Sequence, residues 1–518
     1  MSDPRHHVPP ENDPVDPPAR PGRRGRHFET KDLHANLGQR TARGGIYTAA
    51  STFLNFLVTT TGTILITRQL TDQDFGLYGM VLVITGFAAL FIDLGLSQAV
   101  VQKPEINHDQ VSTLFWINLG IATGLSAVVA AATPLIVWFY DEPRIAPINL
   151  TLAGVFIISS LGLQHRALLR RRLEFGRLNI IESIVPLLAT TVGVALAYAG
   201  AGVWALVALP VTSQTMMVLG MWVASGWVPG PPRRRSGVRT MLAFGGNVTG
   251  FQFINYFARN ADNAMIGYAW GPGPLGLYTR AYSLMLMPVS KMNTPLTNLA
   301  VPALSRMQDQ PDRYRRAYRN LISLSAGVAT PIILFGIAIS PELVPLVLGE
   351  QWDEIPIIFL ALTGAAVHAS TNAAAGWIYF SLGHVDRLLR WAMMSIPITL
   401  TGMAIGLQFG AIGVALAVSI TQLSLKLPSL MYAMKDTMLT LSDFVRPAMV
   451  PILGPLLAMG ACLWLTAPLD GVEPPMTVLA IKIIVFLSAY AAVLLLTTPG
   501  RTHIDSFRNA IKLVRKSV

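Results

Sequence analysis

The chain has 518 residues, 52% of them hydrophobic and only 13% charged, with a mean hydropathy of +0.49. A soluble domain carries about 25% charged residues, so a soluble globular protein is excluded and a polytopic membrane protein is predicted. The formal net charge of +11 therefore has to be read against a bilayer before nucleic acid is considered.

In chain order, residues 1–43 come first. They are polar, proline-rich from Pro4 to Pro21, and basic at Arg20, Arg23, Arg24 and Arg26. Such a segment cannot bury enough apolar surface to fold, and it predicts a disordered cytosolic tail. A membrane helix needs roughly 20 apolar residues. Fourteen stretches qualify: 45–67, 75–100, 112–139, 148–165, 181–200, 203–225, 241–269, 275–303, 320–340, 355–382, 388–408, 410–434, 447–467 and 476–498. The pairs 181–200/203–225 and 388–408/410–434 are nearly fused, so twelve is the alternative count. The lone cysteine, Cys462, lies in one of these stretches. It permits no intrachain disulfide and reads as a small buried hydrophobe.

Orientation follows the basic residues. With the N-terminus inside, the cytosolic segments take most of the 39 Lys and Arg residues: Arg166 to Arg177, Arg233 to Arg239, Arg306 to Arg319, and the stretch from Arg501 to Lys516. The outer loops keep Arg68 and Arg144 but carry Asp72, Asp74, Asp141, Glu142, Glu342, Glu350, Asp353, Glu354, Asp470 and Glu473. Both termini are expected inside, and the net charge is a topology signal that also suits anionic lipid; no nucleic-acid partner is expected.

An offset of 200 residues recurs. Phe53-Leu-Asn-Phe-Leu57 matches Phe253-Ile-Asn-Tyr-Phe257, and Phe75-Gly-Leu-Tyr78 matches Leu275-Gly-Leu-Tyr278. Duplicated membrane units build many transporters, with the substrate between the halves. Spans 1 and 7 run the same way, so the repeat is parallel. The expected organisation is an N-lobe over 44–230, a C-lobe over 231–440, two further helices over 441–499 and a basic cytosolic tail over 500–518.

Charges inside spans cost about 2.5–3.5 kcal/mol each on insertion scales, and here they gather in few helices: Asp93 in span 2, Arg259 and Asp262 in span 7, Arg280 and Lys291 in span 8. Gln252, Asn255, Arg259 and Asp262 fall on one helical face. Arg280, Met287, Lys291, Thr294 and Asn298 share another, and Asn55, Thr59 and Gly62 form a milder stripe in span 1. These faces would line a cavity between lobes, with a ladder of cations suited to an anionic cargo. The competing reading pairs Arg259 with Asp262 at i, i+3. Lys426 and Lys482 read as snorkelling residues near span ends, and His368 as a core histidine without an evident partner. There is no G-x-x-x-x-G-K-[ST] motif for a P-loop ATPase and no Cys/His cluster with metal spacing. The short outer loops leave no room for an extracytoplasmic catalytic domain, which argues against a membrane polymerase or ligase.

Ordered short motifs give a resemblance. TRQLTDQDFGLY (Thr67 to Tyr78), DLGLSQA (Asp93 to Ala99), TLFWIN (Thr113 to Asn118), LLRRRLEF (Leu168 to Phe175), NADN (Asn260 to Asn263), LGLYTRAY (Leu275 to Tyr282), VPALSR (Val301 to Arg306) and GEQW (Gly349 to Trp352) resemble bacterial polysaccharide transporters of the Wzx type, in the colanic-acid-exporter-like branch, over roughly residues 45–440. The resemblance implies the multidrug/oligosaccharidyl-lipid/polysaccharide exporter fold in the bacterial cytoplasmic membrane. It implies an undecaprenyl-diphosphate-linked oligosaccharide turned from inner to outer leaflet, with a polysaccharide polymerase and glycosyltransferases as partners. The proline-rich N-terminal tail departs from that pattern.

On this reading Arg259, Arg280 and Lys291 meet diphosphate or acidic sugars, and Asn55, Gln252 and Asn255 meet sugar hydroxyls. No cofactor is expected. Proton or sodium antiport through Asp93 or Asp262 is one account of coupling; Asp262 simply holding Arg259 is the other. A drug or cation antiporter of the same fold is the rival function, and it predicts an acidic, aromatic cavity where this chain places cations.

Overall fold

The computed structural model describes residues 55–103, 106–233, 256, 259–469, 475–498, 500–501 and 503–504. Among these every regular element is a helix. The helices are α1, whose described part is 55–69, α2 (Asp72–Ala89), α3 (Leu96–Gln102), α4 (His108–Ala131), α5 (Thr133–Tyr140), α6 (Ile145–Arg171), α7 (Phe175–Tyr198) and α8 (Trp204–Ser225). They continue with α9, described over 259–270, then α10 (Pro272–Ser305), α11 (Pro311–Leu348), α12 (Ile355–Ala361), α13 (Thr363–Ser370), α14 (Ala373–Ser381), α15 (Val385–Leu407), α16 (Gly410–Met434), α17 (Ser442–Thr466) and α18 (Pro475–Leu496).

Local chemistry sets the starts. Thr71 and Asp74 form a capping box at α2, with the Thr71 amide donating to Asp74 Oδ2 at 3.0 Å, and Asn107 and Gln110 form the equivalent at α4. Pro272 and Pro311 open α10 and α11, where a missing N–H costs nothing. Their 34 and 38 residues make them roughly 50–57 Å long at 1.5 Å per residue, well beyond a hydrocarbon core of about 30 Å.

Nine helices among the described residues are long and apolar enough to cross a membrane, or ten if a pair bent by 61° within 350–381 counts as one span. Three expected spans are not single helices. The stretch 75–100 ends as α2 at Ala89 and resumes as α3; 112–139 breaks between α4 and α5 ahead of Pro134; and 355–382 divides into α12, α13 and α14. The first of these moves Asp93 out of a membrane helix. It stands in the turn before α3 and accepts from the Ser97 amide (2.9 Å) and hydroxyl (2.8 Å).

The main core joins both halves of the chain: Leu77, Met80, Val81 and Ile136 pack with Ile266, Leu275, Tyr278, Ile337, Trp352 and Val414. α2 runs along α10, α11 along α17, and α15 along α16.

Candidate functional site

The two halves meet along α2 and α10, and the contact depends on glycine. A Cβ on Gly76 would lie 1.7 Å from the Pro272 carbonyl oxygen, and a Cβ on Gly276 would lie 1.8 Å from the Asp72 carbonyl oxygen. The 200-residue offset turns each of these contacts into the other. The seam is thus self-complementary about a pseudo-twofold axis, like an isologous dimer interface.

Further contacts surround it. The end of α1 meets the 349–352 turn: Trp352 Nε1 donates to Thr67 O (3.0 Å) and Gln351 Nε2 to Arg68 O (3.0 Å). The end of α9 meets the end of α5, where Tyr268 stacks on Phe139 with centroids 4.7 Å apart and Gly267 lies against Tyr140. Phe75 packs edge-on to Trp352 at 5.4 Å. Among the described residues, the hydrogen bonds and ring contacts that join α1, α2 and α5 to the second half lie along α2, while Arg233, just past the first half, bonds Asp109 and Thr113 at the start of α4. The deepest are Tyr256 Oη donating to Leu82 O (2.8 Å) and Tyr256 against Phe87 (6.0 Å). The molecule is closed at the end that holds Asp72 and Pro272.

Arg280 lies eight residues into α10, about 12 Å below that end. It is buried, with its guanidinium 5.1 Å from the Phe75 ring centre and Nη2 at 3.5 Å from Thr63 O; its Nε is buried without a hydrogen-bond partner. It therefore bridges α10 to α1 and α2, with hydrogen-bonding capacity unused. Asp262 is at similar depth on α9 and is also buried. It accepts from Tyr278 Oη (2.8 Å) and from the Asn263 amide (2.8 Å). Arg259 is exposed, and the ion pairs of the described residues do not include it with Asp262. Asp262 is instead bonded by Tyr278, which reaches the carboxylate from the neighbouring helix, so the competing i, i+3 pairing is not what this structure shows.

Asn55 is half-buried near the start of the described part of α1, and its Oδ1 is buried and unpartnered. Lys291 is placed on α10 by its backbone only, and Gln252 and Asn255 lie outside the described residues. Neither of the two later lysines snorkels. Lys482 Nζ pairs with Glu342 Oε1 at 2.5 Å, the side chains being 2% and 10% exposed. Lys426 Nζ donates to Thr371 O at 2.8 Å. In each case the ammonium is held by a polar atom on another helix. Beside α1, an apolar groove of about 850 Å³, including its open mouth, is lined by Thr63, Ile64, Met287, Ile333, Gly336 and Val344.

Three contacts escaped the sequence reading: Phe75 under Arg280, Tyr278 on Asp262, and the paired glycines. Phe75, Gly76, Gly276 and Tyr278 all lie in the repeated blocks, so the repeat itself carried the signal.

Comparison with known proteins decides the family. A family model described as polysaccharide biosynthesis protein matches residues 64–356. The chain belongs to the polysaccharide biosynthesis protein family. It is 26% identical over 395 residues to the lipopolysaccharide biosynthesis protein WzxC of Escherichia coli K12, covering 75% of this chain and 80% of that one. Its fold is similar to that of the lipid II flippase MurJ in an inward closed conformation, with a TM-score of 0.69 at 12% identity over 86% of this chain and 98% of MurJ. An inward-facing multidrug resistance MATE transporter of the MOP superfamily gives 0.55 at 13% identity over 73% and 93%. This polysaccharide biosynthesis protein therefore has the multidrug/oligosaccharidyl-lipid/polysaccharide exporter fold.

Proposed function

We propose that the chain is a flippase. It turns undecaprenyl-diphosphate-linked oligosaccharide from the inner to the outer leaflet of the bacterial cytoplasmic membrane and performs no covalent chemistry on it. The observation that carries this reading is two arginines on adjacent helices, Arg280 buried in the seam on α10 and Arg259 exposed on α9, in a chain of this family. Taking a diphosphate and sugars out of water costs many kcal/mol, and cations held between two halves offset much of that cost. The polyprenyl tail stays in lipid throughout, and the apolar groove beside Thr63 has the chemistry to receive such a chain.

On this proposal residues 44–230 and 231–440 are the two lobes, 441–499 an appended helix pair, and both termini are cytosolic. The Asp72–Pro272 end is then the outer end, closed in this state. Alternating access means opening that seam while the opposite end closes. Arg280 changes partner in the cycle, from Phe75 and Thr63 to the anionic head of the cargo. Lys291, Asn55, Gln252 and Asn255 extend the path inward, and a polymerase and glycosyltransferases handle the cargo on either side.

The test is the sidedness of lipid-linked repeat units in cells lacking the protein. An impermeant sugar probe is applied to intact spheroplasts and again after lysis. Label acquired only after lysis supports the proposal; label acquired before lysis overturns it.

A further inference from the structure

The helix that carries Lys426 faces a break in a neighbouring span. α13 ends at Ser370, and α14 begins at Ala373 after the turn Thr371–Asn372. Three successive carbonyls at this break each accept a donor from a different helix. Ala369 O takes Asn293 Nδ2 of α10 (3.3 Å), Ser370 O takes Ser325 Oγ of α11 (2.8 Å), and Thr371 O takes Lys426 Nζ of α16 (2.8 Å). Carbonyls at the C-terminal end of a broken membrane helix, where the helix dipole is negative, are where transporters hold a coupling cation. Here the cation is the protein's own.

The surroundings of Lys426 are unusual for a structural lysine. It is buried, and its ammonium lies 5.5 Å from the centre of the Phe444 ring. Among the described residues no ion pair includes it. The charged and titratable groups on the helices around it are otherwise engaged. Asp443, next to Phe444, is bound by Arg319 of α11 and by Thr440. Tyr318 of α11 donates to Ala374 O (3.5 Å), and His368 of α13 bonds Asn372 Oδ1 through Nε2 (3.1 Å). A buried ammonium without a counter-ion is favoured only while it keeps its carbonyl, and as a neutral amine it would hold that carbonyl more weakly.

We propose that Lys426 is a proton-exchange site of the transport cycle: its ammonium fastens the Thr371 break in the state seen here, and loss of its proton releases that break. The step is a simple transfer. A Nζ–H bond breaks, the proton passes to water, and a neutral amine remains; the reverse reaction restores the ammonium. The proposal deepens the coupling part of the flippase reading, but its test needs no cargo.

The test reads seam opening directly. Thr279→Cys at the α2–α10 seam is labelled by maleimide in purified full-length protein over a range of pH, each rate normalised to the same cysteine in denatured chain. The background is low because the native Cys462 is buried. The wild-type background should show a labelling rate that changes with pH, by up to about tenfold per unit for a one-proton equilibrium. Lys426→Arg keeps its charge at every pH and should be level, while His368→Gln should keep the wild-type response. Should the larger guanidinium prevent folding, judged by Tm, Lys426→Met serves instead and should also be level. A flat wild-type profile overturns the proposal. So does a folded Lys426→Arg or Lys426→Met that follows the wild type, or a response lost with His368 instead. A failure to flip lipid-linked sugar would leave this readout untouched.

Discussion

The glycine seam makes the sharpest prediction. In Gly276→Ala the new methyl would sit 1.8 Å from the Asp72 carbonyl oxygen, where ordinary contact begins at 3.4 Å. The neighbour is main chain, so no side chain can turn away, and α2 and α10 must separate by about 1.6 Å. Overpacking of this kind costs roughly 1–3 kcal/mol. The cost falls on the closed state alone, because the methyl has room once the halves part at this end. A differential of that size shifts the two-state equilibrium about 5- to 150-fold toward opening. Gly76→Ala, the pseudo-symmetric change, should do the same against Pro272 O. The assay is maleimide labelling of Thr279→Cys in each background, with Tm as a check on folding. A rate equal to that of the parent in both folded variants would refute the claim that this seam is the closure that must part.

Three further outcomes follow from single contacts. Breaking a buried ion pair costs about 3–5 kcal/mol, so Lys482→Met should lower the Tm in detergent markedly, and adding Glu342→Leu should recover much of it; equal Tm for single and double variants would contradict the pairing. Arg280→Glu should remove export while the protein still inserts and folds, read by spheroplast labelling, and full export would remove Arg280 from the path. At the closed end, the Arg144 guanidinium hydrogen-bonds Glu142 (2.7 Å) and holds its carboxyl below the usual carboxylate range. A depressed folded value gives stability that is complete above the unfolded pKa of about 4.3 and is lost as pH falls through the folded value. Arg144→Ala should therefore reduce the fall in Tm on acidification below that pH, and an unchanged acid limb would show that the pair contributes nothing.

Much of this architecture could be read in the sequence because the bilayer imposes a length and a polarity on every span. The apolar stretches and the offset that pairs Gly76 with Gly276 both derive from local pattern. What could not be read was pairing at a distance. Lys482 finds Glu342 and Lys426 finds Thr371 across gaps of 140 and 55 residues, and no helical periodicity encodes either. Breaks inside apolar runs were equally hidden. The run around Thr371 is apolar on both sides, so hydropathy continues through a turn that the backbone does not. Asp93 was misplaced for the related reason that α3 resumes the hydrophobic pattern after the turn it caps.

The central claim is that this chain itself moves lipid-linked oligosaccharide across a bilayer. The most direct measurement uses purified protein in proteoliposomes that carry a fluorescent undecaprenyl-diphosphate-linked oligosaccharide, with an impermeant quencher added outside. The account predicts that quenching proceeds past the outer-leaflet fraction with wild-type protein and stops there with Arg280→Glu. Quenching that halts at the outer leaflet with folded wild-type protein, or that passes it equally in both, would contradict it.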